Sequence, residues 1–88
     1  MAAVPTIHLN GSSAPRLLSN LAAAASALRT ARRALDETHP NMRDFYPQGD
    51  GAFSVALAEH TARLVRVEET LREVSELQEA ILYQIETR

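Results

Sequence analysis

The chain holds few residues equipped for chemistry, and most of them gather in one stretch. Residues 38–51 read THPNMRDFYPQGDG. Arg43 offers a planar fork of donors for carboxylate or phosphate. Tyr46 and Phe45 offer stacking faces, Asn41 and Gln48 offer amides, and Asp44 is an anionic acceptor. Such a mixed polar and aromatic set recognises a small polar ligand or a partner surface. A purely structural account fits the same residues. Asn41 can cap a short helical turn supported by Asp44, Phe45 or Tyr46 can plug the end of a core, Pro47-Gln48-Gly49 suits a β-turn, and Arg43 can pair with Asp44 or Asp50. Near the N-terminus, His8 and Asn10 are a second polar pair able to face a ligand, or simply solvent.

Constellations for catalysis and metal binding are missing from the sequence. It has no cysteine nucleophile, no Gly-rich phosphate loop, no HExxH and no supported Ser-His-Asp set. The three histidines are scattered, and Glu59 is adjacent to His60 rather than three residues from it, as a carboxylate di-metal bundle requires. A non-enzyme without metal or cofactor is the expectation. The acids of the second half, Glu59, Glu68, Glu69, Glu73, Glu76 and Glu79, read as a solvated helix face, with Glu59/Arg63 and Glu68/Arg72 spaced for i,i+4 pairs.

The elements that position the loop follow from periodicity. Residues 13–38 read as a first helix, with Ser12 or Ser13 as N-cap, Pro15 in the tolerant first turn, and Thr38-His39-Pro40 as the stop. Leu17, Leu21, Ala24, Leu28, Ala31 and Leu35 recur at alternating steps of four and three. Residues 51–87 read as a second helix capped by Asp50. Its seam runs unbroken through Phe53, Leu57, His60, Leu64, Val67, Leu71, Val74, Gln78, Ile81 and Ile85. His60 and Gln78 are the polar members, a device best attested for fixing register or oligomer state. Residues 4–11, VPTIHLNG, alternate at Ile7 and Leu9 and end in a turn signal, so a short extended segment is expected to lie on the helices or pair with a neighbour.

These pieces predict one all-α domain over 1–88, an antiparallel, coiled-coil-like two-helix hairpin with a short extended N-terminal segment and a 39–50 loop. At 1.5 Å per residue the helices measure roughly 38 Å and roughly 54 Å. Folding back directly from the loop places Leu35 near Phe53 to Leu57, Leu28 near His60 to Leu64, and Leu17 near Leu71 to Val74. The second helix then overhangs by about three turns, leaving Ile81, Leu82, Tyr83 and Ile85 wet unless Ile7 and Leu9 or a second copy cover them. A further stripe, Leu18, Ala22 and Ala25 with Ala58, Ala62 and Val65, offers surface for subunit packing. A chain of 88 residues without disulfide or metal also needs a staple, and a homo-oligomer is the expected one.

Charge narrows the partners. Net charge is −2, with residues 1–45 at +2 and residues 46–88 at −4, and every basic residue is arginine. Only Arg29, Arg32 and Arg33 cluster, facing an acidic helix, so nucleic acid is not an expected partner. No stretch approaches the ~20 apolar residues of a membrane span. No secretion or transit signal is read at the N-terminus, so a cytoplasmic protein is expected.

The runs Ile7-His8-Leu9-Asn10-Gly11 and Pro40-Asn41, Arg43-Asp44, Tyr46, Gln48-Gly49, with EHTARL following, resemble small uncharacterised proteins of tailed phages and prophages. The resemblance spans about Thr6 to Leu64 and implies an accessory protein acting inside a bacterial host cell, with no established activity to transfer. Three functions compete. One is a non-catalytic binder that sequesters a nucleotide-type immune signal as counter-defence, with Arg43 on phosphate and Tyr46 or Phe45 on a base. Another is an inhibitor that binds a host defence protein directly. The last is a virion or assembly component.

Overall fold

The computed structural model describes residues 3–87, and its secondary structure is helical throughout. Helix α1 spans Ala14–Asp36, the four-residue α2 spans Met42–Phe45, a 3-10 turn follows at Tyr46–Gln48, and α3 runs Ala52–Glu86. The two long helices pack antiparallel along a molecule of 62 × 21 × 19 Å. The expected hairpin is therefore present, while the connection is not a bare loop.

Local chemistry explains the boundaries. The Ser13 hydroxyl accepts from the Arg16 amide, and Pro15 sits in the first turn where a missing N–H costs nothing. At the other end α1 stops at Asp36, two residues before the expected limit. The Thr38 hydroxyl and amide both donate to the Leu35 carbonyl, and the His39 amide donates to that of Asp36. These bonds satisfy carbonyls that a continuing helix would have used. Helix α3 begins at Ala52, and Asp50 does not cap it. Gly51 occupies the cap position at φ 88°, and Gly49 also has positive φ at 100°. Two left-handed residues bracketing Asp50 turn the chain from the 3-10 turn into α3, a path that glycine adopts at least cost.

The seam of α3 follows the expected register, with Phe53, Leu57, Leu64, Val67, Leu71, Val74 and Gln78 half-buried and His60 and Ile81 fully buried. Only Ile85 departs, at 44 % exposure, with Gln84 turned inward instead. On α1 two of the six seam positions differ. Leu17, Leu21, Leu28 and Leu35 are half-buried as expected, but Ala24 and Ala31 are exposed. Ala25 is buried, and Leu18 and Arg32 are half-buried in their place. Both registers obey the four-three rule, and a run of alanines cannot choose between them. The facing helix selects the second, which takes in Leu18 and the Arg32 stem while the guanidinium reaches Glu68 at 2.7 Å. Leu18 and Ala25 thus serve the intrachain seam, whereas Ala22, Ala58, Ala62 and Val65 remain exposed.

Cross-helix contacts also shift the axial alignment. Asp36 approaches His60 and Arg32 bonds Glu68, so the α1 residues face α3 about one to three turns further along than direct fold-back predicts. The connector causes this, since α2 and the 3-10 turn pack on the first turns of α3 and displace α1 toward the far end. The expected overhang is consequently short. Of the four side chains expected to be wet, Ile81 is fully buried while Leu82, Tyr83 and Ile85 remain exposed, and the N-terminal segment of the same chain is bonded to Gln84, three residues beyond Ile81. That segment forms no strand. The Gln84 side chain holds it, donating from Nε2 to the Pro5 carbonyl at 2.7 Å and accepting from the Ile7 amide at Oε1 at 3.0 Å. One side-chain amide thereby imitates the neighbouring strand the segment lacks. Beyond it the chain turns, with the Gly11 amide donating to the His8 carbonyl. Leu9 points outward at 97 % exposure and covers nothing.

The surface pairs differ from those expected. Glu68 bonds Arg32 rather than Arg72, and Arg72 bonds Glu76 at 2.8 Å. Both pairs are substantially exposed and contribute little.

Three substitutions test this packing. Ile81→Ala should cost about 2–5 kcal/mol in urea unfolding, and Ile85→Ala well under half of that, because only the first empties a closed site. Gln84→Ala should accelerate hydrogen exchange at the Ile7 amide and expose the segment to protease, with the long helices retained by circular dichroism. Unchanged exchange would mean that the clamp does not hold the segment.

Candidate functional site

The loop end is built by local bonds before it is built by packing. The Asn41 carboxamide oxygen accepts from the Arg43 amide at 2.9 Å, and the Asn41 carbonyl accepts from the Asp44 amide at 3.0 Å. Asn41 therefore starts α2 as a cap, as its structural reading anticipated. The Gly49 amide donates to the Tyr46 carbonyl and closes the 3-10 turn over Pro47. Phe45 is half-buried and plugs the end of the hairpin, while Tyr46 is 71 % exposed and does not.

Two open clefts flank Phe45. The larger, about 370 Å³, lies between the connector and α3 and is lined by Thr38, His39, Asn41, Asp44, Glu59 and Arg63 among others. The smaller, about 240 Å³, is bounded by Met42, Tyr46, Phe53 and Ser54 with the Gly49–Gly51 backbone. The expected site residues are thus divided. Asn41 and Asp44 line the larger cleft and Tyr46 the smaller, whereas Arg43 and Gln48 are exposed outside both. Among the described residues Arg43 forms no ion pair, with Asp44, Asp50 or any other acid. His8 and Asn10 lie at the opposite end of the molecule, beside Gln84. Thirty-odd helical residues, roughly 48 Å of α3, separate them from the loop. Within one chain they cannot share a site with it.

His39, Glu59 and Arg63 carry no site signature in the sequence. Glu59 and Arg63 looked like an ordinary solvated i,i+4 pair, and only the fold-back of the connector turns them into a cleft wall. His39 meets the buried His60 edge-to-face, ring centroids 5.1 Å apart. His60 is 1 % exposed, and neither ring nitrogen makes a hydrogen bond. Its nearest acid is Asp36, with Oδ1 at 3.5 Å from Nε2. That separation permits charge attraction to a protonated ring but is too long for a well-formed hydrogen bond. His60 is accordingly a seam residue beneath the cleft, held by aromatic and apolar packing rather than by a satisfied polar network.

Chemically the larger cleft presents two carboxylates, one guanidinium, one imidazole and one amide. Its balance of charge favours a partner with both signs over a polyanion. Among the described residues no group of three or more His, Cys, Asp or Glu is placed to hold a metal ion, and no helix is long and apolar enough to cross a membrane. Comparison with family models, curated proteins and solved structures returned no match.

The unsatisfied imidazole gives a directional prediction. His60→Leu should leave stability unchanged or raise it, since it replaces an unpaired buried polar group with one of similar volume. His60→Ala should lower it by about 2–4 kcal/mol through the cavity it opens. Chemical denaturation of the two variants is the measurement, and a large loss in His60→Leu would reveal a polar bond that the geometry lacks.

Proposed function

We propose that this chain is a non-catalytic binding protein of phage or prophage origin, acting in the host cytoplasm. Its loop end docks on a host protein. The observation that carries this reading is the grouping on α2 and the following turn. Met42 is 60 % exposed, Tyr46 is 71 % exposed, and Arg43 stands without an ion pair between them on a helical turn capped by Asn41. Tyrosine, arginine and methionine are the residue types enriched at protein interfaces, and a preorganised display lowers the cost of binding. Direct inhibition of a defence protein is the form of counter-defence this surface suits.

Sequestration of a nucleotide-type signal is supported less well. Arg43 and Tyr46, its proposed phosphate and base contacts, do not converge on one cavity, and the larger cleft sets Asp44 and Glu59 where phosphate would sit. An assembly role draws its support from the elongated shape and exposed apolar side chains.

Arg43→Ala and Tyr46→Ala should fold with unchanged helix content and each weaken affinity for a captured host protein by about 30-fold or more. Wild-type binding by both variants would sink the docking surface. Calorimetric titration with cyclic dinucleotides and cyclic ADP-ribose isomers separates the sponge reading, which tight binding of any of them would install instead. Detection of the chain in purified virions by mass spectrometry would favour assembly.

A further inference from the structure

Beyond the loop end, the outer face of α3 is apolar where none of the described residues covers it. Val55 is 60 % exposed and Val65 is 43 % exposed, with exposed Ala58 and Ala62 between them at steps of three, four and three. The stripe lies opposite the α1 seam. Continued at the same spacing it becomes Glu69, Arg72, Glu76 and Glu79. One helix face is thus apolar over its first half and predominantly charged, with a net negative sign, over its second until Tyr83.

The chain alone also leaves much surface in water. Its accessible area is 6537 Å², whereas a compact protein of this mass exposes about 5,100 Å². Its radius of gyration is 19.0 Å, against about 12 Å for a compact chain of this length. The excess, roughly 1,400 Å², is larger than the ~800 Å² each partner contributes to a standard interface.

Two features identify a second copy as the occupant. The stripe is self-complementary: a two-fold axis midway between Ala58 and Ala62 sets Val55 against Val65 and Ala58 against Ala62 of the other chain. An isologous contact requires that relation, and the alanines allow close approach. Electrostatics then selects the direction. Residues 69–86 carry a net charge of −4. Parallel association would stack these acidic halves on each other, as like charges facing across an interface. Antiparallel association about residue 60 sends them to opposite ends. The alternative antiparallel register, centred on the middle of α3, would set Val55 against Tyr83 but press Ala62 and Val65 against Glu76 and Arg72, desolvating charge for less apolar gain.

We propose that two copies associate antiparallel through Val55, Ala58, Ala62 and Val65 of α3, with the two-fold axis near residue 60. The loop ends then flank the crossing, and the acidic halves project outward. This dimer is independent of the loop's partner and stands or falls without it.

Because the chain has no cysteine, the geometry can be read by single-cysteine variants and a short bis-maleimide. A mixture of Val55→Cys and Val65→Cys chains should cross-link predominantly as the mixed pair. Sedimentation of the wild type should show a dimer. Ala62→Glu should weaken dimerisation by at least about 100-fold with helix content unchanged, because it places a charge in the contact without touching the α1 seam. A monomeric wild type at high micromolar concentration would overturn the proposal. So would cross-linking dominated by Val55→Cys with itself, as in a parallel pair, or by Val55→Cys with Tyr83→Cys, as in the centred register.

Discussion

The line of contact between α1 and α3 is narrow, and the rest of the molecule adapts to it. Two helices alone meet along one stripe each, so few side chains leave water completely. Among the described residues these are Ala14, Ala25, His60 and Ile81. With so thin a core, every additional element recruited to the seam matters. Phe45 closes one end of it, the N-terminal segment closes the other, and Arg32 extends it by lying flat toward Glu68. Small changes of register are therefore cheap on the alanine-rich helix and costly on the helix that carries the large side chains.

The same constraint shapes the loop end. A connector of ordinary length would have joined the helices directly. Here it folds into α2 and a 3-10 turn, occupies the first turns of α3, and pushes α1 toward the far end. Clefts form on both sides of Phe45 because a short helix laid across a long one cannot fill both flanks. His60 sits where α1 ends and the connector begins, against His39 and near Asp36. A buried imidazole without a hydrogen bond is an unusual tenant for a core this small. It links the seam to the cleft wall, so the packing of the core and the shape of the candidate site are not separable there.

At the opposite end a single amide does the work of a strand. Gln84 bonds the backbone on both sides of Thr6, and Ile7 is drawn toward the seam while Leu9 is left outside. The segment's alternation was visible as a pattern, but the pattern names no partner. Two copies pairing through these segments and one chain lying on its own helix satisfy it equally.

Much of this architecture was legible in the residues themselves. The two long helices, a serine cap on the first, the α3 register through Ile81 and the position of His60 follow from periodicity and local hydrogen-bond chemistry, which act over a few residues and need no tertiary context. What the tertiary structure decided were matters of choice between equivalents. Alanine at 24 or 25 packs equally well in isolation, and only the facing helix selects the register that takes in Leu18 and the Arg32 stem. Glu59 and Arg63 became a cleft wall only when the connector folded back on them, and Asp50 yielded its capping place because two positive-φ glycines steer the chain past it. His8 and Asn10, near the loop in chemistry, are far from it in space, since distance along a rigid helix is set by its length and not by the character of its ends.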